Sequence, residues 1–262
     1  GRVMKNVTGY DLCKLMAGSY GTLSAMLQVT LKVLPASEKT RTVLVFGLED
    51  AKGLEAMTRA LMSEFEVSGA AHLPAAVAAR SRVDYVKDAG GAVTALRIEG
   101  TPVSVEHRTR AVREVLSGFG ETEELHSRNS TAFWKEVRDV SAFVDKADNV
   151  VWRVSAAPQQ GPKFAQALDG EIEGREIFYD WGGGLVWLAL PPADDAHHER
   201  VRAALEKAGG GHATLIRAPE AVRGAVPVFQ PQPEALQTIT ERVKDGFDPQ
   251  RVLNPGRMYA GL

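Results

Sequence analysis

From Leu23 to Val33 the apolar residues fall on every odd position: Leu23, Ala25, Leu27, Val29, Leu31 and Val33. Ser24, Gln28, Thr30 and Lys32 hold the even ones, with Met26 the single break. Period-two alternation predicts a strand with one buried face. Beyond Pro35 the pattern changes. Thr40–Leu48 is apolar and β-branched, as a buried strand is. Glu49 and Asp50 then open a helix, where acids in the first turn oppose the dipole, and Leu54, Met57, Leu61 and Phe65 recur every three to four residues along it. A short strand over Glu66–His72, a small helix after Pro74 and a strand over Ala92–Glu99 follow. Thr101-Pro102 caps and starts a further helix, which closes on Gly118 and Gly120.

These elements read strand–helix–strand–strand–helix–strand, and the rest of the chain repeats the order. A helix over Ser130–Phe143 leads to a strand over Asn149–Ala156 and a short helix over Lys163–Leu168. Strands Ile177–Trp181 and Leu185–Leu190 are joined by Gly182-Gly183-Gly184, a hairpin signal. A helix over Ala196–Lys207, a strand over His212–Arg217 and a last helix over Pro233–Lys244 complete the chain. Strands mixed with amphipathic helices in this order predict an α+β fold, an antiparallel sheet covered on one face, with each half ferredoxin-like.

Composition narrows the function. Of 262 residues 44% are hydrophobic and 24% charged, and the net charge is −2, so nothing draws the chain toward nucleic acid or anionic lipid. A lone Cys13 excludes an internal disulfide and suits a reducing compartment. Residues 1–36 depart from the average: Arg2, Lys5, Lys14 and Lys32 face a single acid, Asp11, an excess suited to a diphosphate.

Two motifs at opposite ends carry the strongest signal. Near the start, Lys5-Asn-x-x-Gly-Tyr-Asp-Leu-x-x-Leu precedes Gly18-Ser-x-Gly-Thr-Leu23 and a segment closing in Leu31-Lys-x-Leu-Pro35. Near the end stands Phe247-Asp-Pro-Gln-Arg-Val-Leu-Asn-Pro-Gly-Arg257. Together they resemble the vanillyl-alcohol-oxidase-type FAD-binding family, and within it the smaller FAD-type subunits of bacterial glycolate oxidases. In that family an N-terminal lobe wraps the FAD pyrophosphate. The resemblance therefore implies a fragment: residues 1–36 as the last part of an FAD-binding domain, 37–230 as a ferredoxin-like cap domain, and 231–262 as a helix and tail returning to the FAD domain.

It also implies site residues. Gly18, Ser19, Gly21, Thr22 and Leu23, with Asn6, Thr8 and Gly9 as a second turn, would meet the adenine and pyrophosphate side. Asn254, Pro255 and Gly256 would approach the isoalloxazine. Glycines and free N–H groups suit this task, because a Cβ would block close approach of backbone to cofactor. Ser24 departs from the family, which has glycine after Gly-Thr-Leu. The implied cofactor is FAD in the full-length protein, absent from this fragment. The implied partners are a catalytic FAD subunit and an iron–sulfur subunit, in a cytoplasmic complex peripheral to the inner membrane that oxidises glycolate to glyoxylate. A fragment with residues 1–35 and 247–262 uncovered would form a homodimer or fold one of these segments back on the cap.

Elsewhere the residues suggest no catalytic constellation. His197 and His198 lie on different faces of a helix start, which is awkward for a shared metal. His72, His107, His126 and His212 are isolated, as surface or packing histidines are. Cys13, with no base beside it, reads as a small buried hydrophobe in a helix over Asp11–Met16. Trp134, Trp152, Trp181 and Trp187 with Phe178 and Tyr179 suit either sheet core or a pocket mouth. The alternative to a flavoprotein part is a noncatalytic α+β domain that holds subunits together.

Overall fold

A computed structural model describes residues 9–262. Its helices are α1 (Leu12–Met16), α2 (Asp50–Leu61), α3 (Ala75–Ala78), α4 (Asp84–Lys87), α5 (Pro102–Leu116), α6 (Ser127–Arg138), α7 (Gly161–Ala167), α8 (His198–Lys207), α9 (Glu220–Ala225) and α10 (Glu234–Phe247). Its strands are β1 (Lys39–Phe46), β2 (Gly69–Leu73), β3 (Val93–Gly100), β4 (Thr122–Leu125), β5 (Val150–Ser155), β6 (Glu176–Asp180), β7 (Leu185–Leu190) and β8 (His212–Arg217). The described chain divides into two compact units, one of residues 37–226 and one of residues 9–36 with 227–262.

The larger unit is built on one eight-stranded antiparallel sheet in the order β4-β1-β3-β2-β6-β7-β5-β8. Apart from the short helices α3 and α4 between β2 and β3, each half runs strand–helix–strand–strand–helix–strand, and read from its outer edge each has the order fourth, first, third, second. The halves meet through their second strands, where the ladder shows a single bridge, His72 with Tyr179.

Both faces of this sheet are covered, which corrects the expectation of one. The period-two pattern of β1 explains why. Val43 and Val45 point one way and Leu44 the other, and all three are fully buried. Helices α2 and α5 pack against β1 and β3 on the first face. On the second, Phe133, Trp134 and Val137 of α6 join Val77 and Ala78 of α3 and Val86 of α4 over Leu44, Ala71, Ala95 and Phe178. A strand flanked by layers on both sides reads as a continuous apolar run, as 43–46 does. Thr42 sits on the α6 face, where its hydroxyl accepts from Trp134 Nε1 at 2.8 Å and meets Ser130 Oγ at 2.6 Å.

Several boundaries shift. Helix α2 ends at Leu61, before Phe65, and α6 ends at Arg138, where Val140 turns left-handed (φ 52°) into a short 3-10 turn over Ser141–Phe143. The short helices α4 and α9 have no periodicity to announce them. Glycines 182–184 do join β6 to β7, through a 3-10 turn.

In the smaller unit the alternating segment 23–33 is not a strand. Leu27 is 99% exposed and Leu31 76%, and no strand of the sheet comes from this segment among the described residues. Alternation supplies a face; a strand also needs a neighbour to pair with. Cys13 is exposed rather than buried, because α1 is five residues long and buries none of its side chains.

Candidate functional site

The two motif segments come together in the smaller unit. After α1, Gly18 (φ 81°), Tyr20 (φ 53°) and Gly21 (φ 74°) take left-handed conformations, and the chain folds into a tight turn. Thr22 closes it: its N–H donates to Ser19 O at 3.0 Å and its hydroxyl to the same oxygen at 2.7 Å. Asn254, left-handed itself at φ 43°, donates from Nδ2 to Tyr20 O at 3.1 Å and Gly21 O at 3.2 Å. A Cβ on Gly21 would lie 2.6 Å from that Nδ2, so only glycine lets the two segments meet this closely.

Lys244, at the end of α10, locks the arrangement. Its side chain is 3% exposed, and its three ammonium protons go to Thr22 O (2.8 Å), Leu253 O (2.8 Å) and Asp248 Oδ2 (2.7 Å). Asp248 also accepts from the N–H groups of Val252 at 3.1 Å and Leu253 at 2.8 Å. The Lys244 ammonium, helped by those two N–H groups, holds the Asp248 carboxyl below its ordinary range. Lys244 did not stand out in the sequence reading, and Asp248 did only as the aspartate of the closing motif. The signal was there in the i, i+4 spacing of a lysine and an aspartate at a helix end.

The turn fits an anionic or backbone-contacting ligand. Ser19 Oγ is buried with no hydrogen-bond partner among the described residues, and no Cβ contact fills the space beside Gly18 or Gly256. The N–H groups of Gly18, Tyr20 and Gly21 donate to nothing among the described residues. Successive left-handed residues with unspent N–H groups form the kind of concavity that binds phosphates. Of the sequence-predicted site residues, Gly18, Ser19, Gly21, Thr22 and Leu23 thus lie on one side of this junction. Asn254, Pro255 and Gly256 lie on the other. Gly9 is exposed and hydrogen-bonded to none of them. Asn6 and Thr8 lie outside the described residues.

A second polar cluster lies in the larger unit, where its halves meet. His72 is fully buried, its Nδ1 2.8 Å from Thr94 Oγ1 and its Nε2 3.3 Å from Asp50 Oδ1. Asp50, in the first turn of α2, also accepts from the Tyr179 hydroxyl at 2.5 Å. Burial raises the Asp50 carboxyl, but its contacts with His72 and Tyr179 outweigh this and leave it below the ordinary range. Burial, with the Asp50 charge beside it, pushes the Tyr179 phenol far above its ordinary 10.0.

The consequence for stability has a definite sign. A phenol whose folded pKa is raised contributes stability that is present below pH 10.0 and is lost progressively as the unfolded state ionises above it. Melting temperature should therefore fall steeply on the alkaline side, and Tyr179→Phe should flatten that fall. Equal alkaline slopes in the two proteins would refute the assignment.

The other marked residues are dispersed. His197 Nε2 lies 3.1 Å from Pro191 O and His198 Nδ1 3.1 Å from Arg202. Among the described residues no group of three or more His, Cys, Asp or Glu is placed to hold a metal. Trp134 and Trp152 are buried, whereas Trp181 is 61% exposed. No helix among the described residues is long and apolar enough to cross a membrane.

No protein-family model matches the chain. Along its whole length it is 31% identical to glycolate oxidase subunit GlcE of Escherichia coli (strain K12), of which it spans 61%. Among solved structures, alkyldihydroxyacetonephosphate synthase matches 96% of the chain at a TM-score of 0.59 and 15% identity, over 51% of that protein. p-Cresol methylhydroxylase matches 86% at 0.58 and 14%, over 53% of its length. The 4-ethylphenol oxidase of Gulosibacter chungangensis matches 88% at 0.57 and 12%, over 56%. Its fold is thus shared with about half of each of these enzymes, and by sequence the chain is a relative of glycolate oxidase subunit GlcE, spanning about three fifths of its length.

Proposed function

We propose that this chain is part of an FAD-linked subunit of a glycolate oxidase complex, in a supporting or electron-transferring role. The smaller unit supplies one side of the flavin cradle, and the larger is a ferredoxin-like cap domain. The observation that carries this reading is the junction of the two motifs: the Gly18–Thr22 turn and Asn254–Gly256, held together by Lys244, with N–H groups and the buried Ser19 hydroxyl unpartnered among the described residues. The cap reading rests on two strand–helix–strand–strand–helix–strand halves joined edge to edge.

When bound, FAD supplies reversible hydride and single-electron transfer. The protein's part is binding and orientation. The N–H groups of Gly18, Tyr20 and Gly21 would face the diphosphate, with Ser19 Oγ as a further donor. Asn254, tied to Tyr20 O and Gly21 O, would fix the separation between this turn and Pro255-Gly256. The partners that follow are a catalytic FAD subunit and an iron–sulfur subunit.

The test is flavin content in the protein produced at the full length of its gene. Bound flavin, read as visible absorbance, should fall at least about tenfold in Gly21→Val, because the side chain displaces Asn254 and strains a left-handed residue. A colourless full-length protein would instead favour a noncatalytic subunit-interaction domain.

A further inference from the structure

The second half of the sheet carries an aromatic and cationic patch on the same face as Trp187. Arg153 of β5 stands opposite Trp187 of β7 on one side and Thr214 of β8 on the other, and Ser155 follows it on that face. Trp181 enters from the β6–β7 turn, and the Arg153 guanidinium lies 5.0 Å from its ring centroid.

The fold holds Trp181 there against backbone preference. Its φ is 52°, costly for so bulky a residue. The next two residues leave little freedom: a Cβ on Gly182 would lie 2.5 Å from Leu61 Cδ1, and one on Gly183 would lie 2.7 Å from Pro158 O. The turn is pressed against α2 and the segment before α7, and the indole stands in solvent.

Arg153 differs from the other cations of this face. Arg97 is held by Glu99 at 3.0 Å and by Ser68, and Arg80 is paired with Glu176. Arg153 is half-buried and has no carboxylate partner among the described residues; its guanidinium lies on the Trp181 ring, and its cross-strand neighbours are Trp187 and Thr214. A guanidinium on an aromatic plate, partly shielded from water, is suited to take a planar carboxylate.

We propose that this patch is a binding site for a small organic carboxylate. Arg153 takes the carboxylate, Trp181 and Trp187 limit solvent around it, and the hydroxyls of Thr214 and Ser155 lie on the same face for a polar group beside it. Carboxylate recognition stands on these residues; only the choice of a 2-hydroxy acid as probe rests on the glycolate oxidase reading.

The experiment titrates the chain with glycolate, with acetate and with the neutral isostere glycolamide, following tryptophan fluorescence and, in parallel, heat. Glycolate should give a saturable change that glycolamide does not. Trp181→Phe should lose most of the fluorescence signal while the heat persists. Arg153→Gln should weaken binding at least about tenfold, the expected loss for a charged hydrogen-bond partner. Acetate binding as well as glycolate supports the site while removing the 2-hydroxy preference. No saturable response to either acid, or unchanged affinity in Arg153→Gln, overturns it. Flavin content of full-length Arg153→Gln is measured separately, so failure of the cofactor reading shows as colourless wild-type protein and failure here does not.

Discussion

Replacing Lys244 by methionine will open the junction between the two motif segments and leave the sheet of the larger unit folded. The ammonium makes three hydrogen bonds of 2.7–2.8 Å, and methionine makes none of them. Thr22 O and Leu253 O lose their donor, and Asp248 is left as a buried carboxylate without its counter-ion. The amides of Val252 and Leu253, which donate to Asp248, report the change directly. Their hydrogen exchange should accelerate by about tenfold or more, with amides in the central strands β1 and β3 unaffected. The double variant Lys244→Met with Asp248→Asn should exchange more slowly than Lys244→Met alone, since removing both charges costs less than stranding one. A double variant as fast as the single would mean that hydrogen bonding, and not charge, holds the junction.

The second large effect is expected at Gly53, and its sign is opposite to the helical norm. At an exposed helix interior, glycine to alanine gains about 1 kcal/mol. Here a Cβ would sit 2.2 Å from His72 Nδ1 and 2.6 Å from Cε1. His72 cannot swing aside cheaply: its ring is fully buried and bonded to Thr94. Overpacking of this kind costs about 1–3 kcal/mol, and loss of the histidine hydrogen bond adds roughly 1. Gly53→Ala should therefore destabilise the larger unit by about 2 kcal/mol, a fall of roughly 5 °C in Tm. His72→Ala in the same chain should recover part of that loss, and strictly additive effects would show that the two positions do not press on each other.

Much of the larger unit was legible because its signals are local. Leu54 and Met57 at helical spacing, Thr101-Pro102 at a helix start and the glycines between β6 and β7 each specify their element within a few residues. What escaped is set by distant partners. Nothing near Glu66–His72 says that β2 pairs with β6, or that α6 lies across the second face. His72 passed as an ordinary histidine, although its place among Ala70, Ala71 and Leu73 is a polar group inside an apolar run, which calls for a buried partner. The candidate cofactor turn was legible as glycine chemistry and family resemblance. Of Lys244 only the i, i+4 spacing to Asp248 was legible, because its bonds to residues 22 and 253 exist only once those segments are brought together. Segment 23–33 misled for the reverse reason: its alternation is plain, but no described strand lies beside it.

The single ladder bridge between β2 and β6 means that the two halves of the sheet adhere at their seam through side chains more than through main-chain pairing. Outer strands such as β4 and β8 are free to drift in sequence, because a ladder tolerates most residues. At the centre, Asp50, His72 and Tyr179 form one lock, and any descendant that alters one of the three must find a matching change in another to keep its two lobes fused.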